Sequence, residues 1–289
     1  MKLKFNEVPF YLDATLCCGQ VFRWDKQGDW WYGVARDRVF KVRQVGNEFE
    51  FANVDAKFVE HYFSLDEDLQ KIADSVNKDA HIGKAIKEYW GLRLARQDPW
   101  ECLISYICAT YKNIAAIKHM LNDMAQKFGE KTVFDGYDFY TFPQCKKLAA
   151  ATEQDLLDCG LGYRAKYVLA TSKKICQSNF DLESLRKMPY LEAKKILMDF
   201  PGVGAKVADC VLLFSLGKTE AFPVDVWVKR VILNHYGDKL APELMQKLTK
   251  RESLSSGDYE RLNGFGRSYF GEYAGYAQEY LYHYERMTL

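Results

Sequence analysis

The sequence predicts an α+β fold: an N-terminal antiparallel β-sheet domain followed by a mostly α-helical core built on a helix, hairpin, helix unit. Up to about residue 54, short runs rich in aromatic and β-branched residues alternate with turn chemistry. From about residue 57 the apolar spacing changes to the i, i+3, i+4 recurrence of helices. Further on, Pro201-Gly202-Val203-Gly204 separates two such helical patterns, with glycines that allow positive φ and close backbone approach. A chain of 289 residues suits two domains. The change of pattern places them at 1–98, the sheet with the helices that follow it, and 99–289, the helical part.

Taken in order, Trp30 to Ala35, Val39 to Arg43 and Glu48 to Phe51 read as strands, separated by Gly28-Asp29, Arg36-Asp37 and Gly46-Asn47. Strand is expected through the whole of 1–54, and helix alone after it. Lys57 to Tyr62, Asp66 to Asn77 and His81 to Tyr89 carry helical spacing. Pro99 opens a helix with Trp100, Leu103, Ile104 and Ile107 on one face. Asn113 to Phe128 follows with Ile114, Ile117, Leu121 and Met124 inward. Thr152 to Asp155 is a capping-box start, and Leu161-Gly162 reads as the stop of that helix. Helices are expected over Arg164 to Gln177 and Leu191 to Asp199. After the hairpin, Val207, Cys210, Val211 and Phe214 mark one buried helix face. Val226 to Tyr236 and Pro242 to Lys250 are helical, Ser253 to Gly257 is linker-like, and Phe270 to Arg286 is a final helix rich in tyrosine.

Composition narrows the function. No apolar run of eighteen residues exists, and Met1 to Phe5 lacks the apolar segment of a signal peptide, so a cytoplasmic protein is expected. Eight scattered cysteines, none spaced as CxxC, are expected as reduced thiols rather than a zinc site. Net charge of +1 argues weakly against a nucleic-acid binder, yet Leu161 to Arg230 holds 12 Lys/Arg against 7 Asp/Glu. One basic face on a near-neutral protein suffices to hold a phosphate backbone, although a solvated helix surface gives the same count.

Two polar residues near the hairpin can do chemistry. Lys206 lies in the first turn of the helix after it, where the positive end of the helix dipole disfavours an ammonium and burial acts the same way. Asp225, in Phe222-Pro223-Val224-Asp225, follows a proline and suits the N-cap of the next helix. Singly, each has a plain structural explanation, as a solvated lysine and a cap.

Together they are more specific. Pro201 to Cys210 followed by Pro223 to Val226 resembles the helix-hairpin-helix DNA glycosylases with a lysine nucleophile. Gly19 to Trp24, Arg96 to Cys108, Gly160 to Val168 and Tyr273 to Tyr282 are similar to the 8-oxoguanine DNA glycosylases, in particular a bacterial member of their eukaryotic-type family. The last cysteine is Cys210, so the terminal iron–sulfur cysteines of the related endonuclease III family are excluded. The resemblance implies a bifunctional glycosylase and apurinic-site lyase acting on duplex DNA that contains 8-oxoguanine. A monomer on the bacterial nucleoid, with no membrane partner, is expected. Lys206 is the implied nucleophile and Asp225 the group that stabilises charge developing on the sugar. Cys210 lies against the flipped base, with ammonium–thiolate sharing between Lys206 and Cys210 as one option and a small buried hydrophobe as the other. Gln278 reads the pairing edge, Tyr282 stacks, and the Gly19 carbonyl accepts the N7–H that guanine lacks. Backbone amides of Gly202, Val203, Gly204 and Ala205 hold a phosphate. No catalytic metal or cofactor is implied, only a structural monovalent cation on the hairpin carbonyls.

The chain departs from that family where the gap left by a flipped base is filled. Tyr111 stands in place of a wedging asparagine and Ala116 in place of an arginine, while Tyr163 and Arg164 keep the rest of the cytosine-reading set. Losing one bidentate donor weakens base choice by about 1–3 kcal/mol, so a relaxed opposite-base preference is expected. Trp227 replaces a phosphate-contacting histidine. Two other readings predict different residues. A non-catalytic DNA-binding module needs the hairpin without Lys206 or Asp225, and an alkylated-base glycosylase keeps Asp225 but normally lacks the lysine.

Overall fold

The structure is a computed structural model that describes residues 1–4, 10–251 and 253–288. Strand β1 (Lys2–Lys4) is followed by helix α1 (Leu12–Cys17) and by β2 (Trp24–Gln27), β3 (Trp30–Ala35), β4 (Arg38–Val45) and β5 (Glu48–Ala52). All five strands pair antiparallel in the order β1-β5-β4-β3-β2. The turn between β3 and β4 places Arg36 and Asp37 both at positive φ, the twist that tight hairpins need. Phe40, Val42, Phe49 and Phe51 are buried on one face, beneath Leu12 and Leu16 of α1 and Val59 and Tyr62 of the next helix. Helix α1 departs from the expectation of strand throughout 1–54, since six residues are too few for a 3.6 period to show. The share of that expectation over residues 5–9 lies outside the described residues.

Helices α2 (Ala56–Tyr62), α3 (Leu69–Val76) and α4 (Ala80–Glu88) each start on an aspartate whose carboxylate accepts a first-turn N–H: Asp55, Asp68 and Asp79. Asp98 caps α5 (Pro99–Cys108), with Pro99 in the first turn, and Asn113 caps α6 (Ile114–Phe128). A hairpin, β6 (Lys131–Phe134) and β7 (Tyr137–Tyr140), then interrupts the helices, contrary to the expectation of helix alone. Its cause is local: Asp135-Gly136, both at positive φ, sits between alternating aromatic and polar residues, which is hairpin chemistry. Helices α7 (Cys145–Ala150) and α8 (Glu153–Asp158) follow, the latter with its capping box formed by Thr152 and Asp155. Helix α8 stops at Gly160, with φ of 74°, rather than at Leu161-Gly162, which opens a 3₁₀ turn over Gly162–Arg164.

The remaining elements are α9 (Ala165–Ser178), α10 (Tyr190–Met198), α11 (Ala205–Leu216), α12 (Val226–His235), α13 (Pro242–Thr249), α14 (Ser256–Phe270) and α15 (Ala274–Thr288). Helix α14 carries glycines at 257, 264 and 266, which mask its helical pattern; Ser255, inside the linker-like stretch, is its N-cap. Gly271, with φ of 77°, ends it, so the last helix begins at Ala274 and not at Phe270. One large core joins α3 to α6 with α9 to α12, α14 and α15, and a smaller one lies under the sheet. No helix among the described residues is long and apolar enough to cross a membrane.

Candidate active site

The hairpin between α10 and α11 fixes where Lys206 points. Val203 N–H donates to Phe200 O at 3.1 Å and closes the turn. Gly202 has φ of 81° there, and a Cβ on it would lie 2.6 Å from Tyr167 Cβ, so no side chain fits. Gly204 is the N-cap of α11 and cannot cap with a side chain, which leaves first-turn amides directed outward beside the half-buried Lys206. Of the four amides expected to hold a phosphate, that of Val203 is spent inside the hairpin.

Lys206 Nζ lies over the ring of Tyr106, 5.4 Å from its centre. Tyr106, on α5, is held by a hydrogen bond from its hydroxyl to Gln20 O and by stacking on Phe214. Asp225 caps α12 and accepts N–H bonds from Trp227 and Val228 at 2.9 and 2.8 Å. Burial pushes its carboxyl above the usual range, while the Lys206 ammonium and those two amides pull it back. The ordering of these forces matters chemically, since Lys206 is the cation that favours the carboxylate.

Gly19 enters the same cleft from the sheet domain. The fully buried Gln20 laces its turn to residues 93–97: its amide donates to Thr15 O and Arg93 O, and it accepts from Ala95 N–H at 2.7 Å. Gly19 has φ of 98°, and a Cβ would press on the Tyr282 hydroxyl at 3.2 Å, so residue 19 presents only backbone. Arg286 ties this turn to α15, donating to Cys17 O and to Tyr282 Oη.

These groups converge. A cleft of about 350 Å³, partly open to solvent, is lined by Gly19, Tyr106, Lys206, Cys210, Phe214, Pro223, Asp225, Gln278, Glu279 and Tyr282. It thus gathers both expected catalytic residues and all four expected base-recognition residues. Gln278 is only 5% exposed, and its Oε1 has no hydrogen-bond partner, as a side chain waiting for a ligand would. Burial pushes the Cys210 thiol up to about 12, with Lys206 opposing, which favours a neutral thiol over the ammonium–thiolate pair. Tyr106, Phe214, Pro223 and Glu279 were not anticipated: the first two carry only a core-helix signal.

Glu279 is 2% exposed, and burial raises its carboxyl from 4.5 to about 7, with the Cys18 thiol and Arg286 pulling it down. A carboxyl raised in the folded state contributes stability below pH 4.5 and loses it as pH rises through 7. Relative to wild type, Glu279→Gln should therefore gain about 2–3 kcal/mol between pH 4.5 and pH 8, measured by denaturant unfolding at each pH. A difference that does not change with pH would show that Glu279 is ionised throughout.

Around the cleft, Tyr111 stands 87% exposed at φ of 53°, projecting from the turn between α5 and α6. Tyr163 is also exposed. Arg164 is placed differently from expectation: it is 3% exposed, lies 4.4 Å from the centre of the Tyr163 ring, and donates to Thr110 O and Leu161 O. Its donors brace the turn that carries Tyr111 instead of reaching outward to a base. Trp227 is capped by the Arg230 guanidinium, 4.9 Å from its ring centre, which keeps a cation at that position.

Comparison with known proteins places the chain in a family. Residues 2–103 match the model of the 8-oxoguanine DNA glycosylase N-terminal domain, and residues 104–253 that of the HhH-GPD superfamily of base excision DNA repair proteins. The chain is 32% identical to the Arabidopsis thaliana N-glycosylase/DNA lyase, over 97% of this chain and 78% of that one. The chain belongs to the 8-oxoguanine DNA glycosylase family. The N-glycosylase/DNA lyase of Saccharomyces cerevisiae is 35% identical over 76% of this chain and 64% of its own length. A Clostridium acetobutylicum 8-oxoguanine glycosylase/lyase, solved with duplex DNA bearing cytosine opposite 8-oxoguanine, superposes with a TM-score of 0.88 at 32% identity, covering 100% of this chain and 98% of that one. The 3-methyladenine DNA glycosylase of Archaeoglobus fulgidus shares the fold alone, with a TM-score of 0.76 at 19% identity.

Metal-binding capacity lies elsewhere. Among the described residues, His81, His235 and Glu285 bring ligand atoms within 4.8 Å of one another, but none lines the cleft. The two imidazoles lie face to face at 3.5 Å with an interplanar angle of 14°, which confines their nitrogen lone pairs to nearly parallel planes.

Proposed function

We propose that the protein is a bifunctional DNA glycosylase and apurinic-site lyase that excises 8-oxoguanine from duplex DNA and nicks the strand by β-elimination. The observation that carries this is the convergence of Lys206, Asp225, Gln278, Tyr282 and the Gly19 backbone in one cleft. A base inside a duplex cannot reach such a cleft, so the nucleotide must rotate out. Gln278 offers an amide, with donor and acceptor, to the purine's pairing edge. The Gly19 carbonyl accepts the N7–H of 8-oxoguanine, and Tyr282 and Cys210 lie against the ring faces.

Chemistry follows from the amine. Lys206 Nζ bonds to C1′ as the bond from C1′ to the base nitrogen breaks, and the electron pair leaves with the base, which takes up a proton. Opening of the sugar breaks C1′–O4′ and gives a protonated Schiff base. Loss of a C2′ proton then expels the 3′ phosphate. Asp225 opposes the positive charge that develops on the sugar. The test is incubation with a duplex bearing 8-oxoguanine opposite cytosine, with borohydride added. A covalent adduct and a nicked strand are expected, and neither on the undamaged duplex. Base release without an adduct would mean that water is the nucleophile.

Double-stranded DNA is bound at the face that carries the hairpin and Tyr111, by one copy of the chain, on nucleoid DNA. The hairpin carbonyls also suit a monovalent cation, because Phe200 O and Pro201 O each accept one hydrogen bond and keep a second lone pair. Opposite the lesion, Ala116 offers no donor and Arg164 spends its own on Thr110 and Leu161. We expect excision rates with each of the four opposite bases to lie within about tenfold of one another. A hundredfold bias to cytosine in single-turnover assays would show that Arg164 turns outward on DNA.

A further inference from the structure

Among the described residues that line the cleft, Glu279 is the acidic one to which the reaction above gives no role. It follows Gln278 on α15, and both line the cleft. One side of its carboxyl faces the Cys18 thiol. Its Oε1 is buried and has no hydrogen-bond partner, like Oε1 of Gln278 beside it. An orphaned buried acceptor costs about 1–3 kcal/mol, and two neighbours sharing one cavity call for one ligand that satisfies both. The two hydroxyls of the cleft each have a partner: Tyr106 donates to Gln20 O, and Tyr282 accepts from Arg286.

The guanine pairing edge presents one acceptor, O6, and two donors, N1–H and the 2-amino group. In the pose where the Gln278 amide is bidentate on O6 and N1–H, its donor and acceptor are spent on that side of the edge and the 2-amino group is left to another acceptor. We propose that Glu279 Oε1 accepts the 2-amino N–H of the extrahelical base, which makes Glu279 a specificity-determining residue for purines that carry that group. Either protonation state of the carboxyl keeps an acceptor on Oε1. Burial disfavours the ionised form, the Cys18 thiol and the Arg286 guanidinium favour it, and Asp225 disfavours it. Glycine at 19 serves the same end, since a side chain there would close the space beside Tyr282.

This inference rests on the 8-oxoguanine reading, and the experiment separates the two. Single-turnover kcat/KM is measured for 8-oxoguanine and for 8-oxohypoxanthine, the same base without its 2-amino group, in wild type, Glu279→Leu and Glu279→Gln. The ratio of the two substrates is compared between proteins, so the intrinsic leaving-group difference cancels. In wild type, 8-oxoguanine is expected to be favoured about 10- to 100-fold, as for a site built to hydrogen-bond its substrate. Glu279→Leu, which keeps volume and removes the acceptor, should lower that ratio at least about tenfold by slowing 8-oxoguanine alone; Glu279→Gln, which keeps an acceptor, should retain it. Equal slowing of both substrates by Glu279→Leu, or an unchanged ratio, overturns the inference and leaves Glu279 a packing residue. Failure of wild type to excise 8-oxoguanine at all overturns the functional reading itself.

Discussion

Lys206→Gln should abolish the borohydride-trapped adduct and strand nicking on 8-oxoguanine DNA, and slow base release by about a thousandfold or more. The magnitude follows from the position of the amine. Among the described residues Lys206 is the only amine lining the cleft, so in the proposed reaction its loss removes the nucleophile and the β-elimination that only an imine permits. Glutamine fills most of the same volume over Tyr106 and cannot form an imine. The fold should tolerate the change. Lys206 is half-buried and lies over one ring, so stability should move by no more than about 0.5 kcal/mol. Unaltered thermal unfolding with no adduct is the expected pair of results. Retained adduct would mean that another amine reaches C1′, and the nearest candidates would then lie outside the cleft.

What the sequence made legible was local. The hairpin at 201–204, the Asp225 cap, Pro99 opening α5 and the strands of the sheet each depend on residues within one or two turns of each other, and each is found in place. Residues whose roles depend on a distant partner were not legible. Tyr106 reads as one more apolar position on a core helix, and only the fold shows Lys206 above its ring. Glu279 carries no signal of its own beside Gln278, because periodicity says nothing of a cleft that accepts two successive residues. Arg164 sits inward because Thr110 O is nearby, across 54 positions of sequence. The hairpin at 131–140 is the exception: its Asp-Gly turn was a readable local signal, outweighed by the helical pattern on both sides.

Asp209 shows the same limit with the largest expected effect on stability. It lies on α11 between Ala208 and Cys210, fully buried, and is not among the residues that line the cleft. Lys194 of α10 pairs with it at 3.1 Å, Tyr259 donates to it at 2.6 Å and Asn263 at 3.0 Å, and Tyr190 donates to its other oxygen. Burial pushes the carboxyl up, and Lys194 with the two tyrosine hydroxyls holds it down. The network fastens α11 to α10 and α14. Asp209→Ala leaves the ammonium of Lys194, itself buried, with Glu260 at 2.9 Å, and takes the charged acceptor from the Tyr190 and Tyr259 hydroxyls and from the Asn263 amide, which keeps Phe222 O. Breaking one side of such a pair costs about 3–5 kcal/mol. At about 2–4 °C per kcal/mol for chains of this order of size, Tm should fall by on the order of 10 °C. Asp209→Leu combined with Lys194→Met removes both charges and should cost less than Asp209→Ala alone, since no uncompensated ion remains. Below its lowered Tm, Asp209→Ala should still give the borohydride adduct, the opposite of Lys206→Gln. An adduct lost in well-folded Asp209→Ala would mean that the network sets the position of the amine and not only the stability of the helix that carries it.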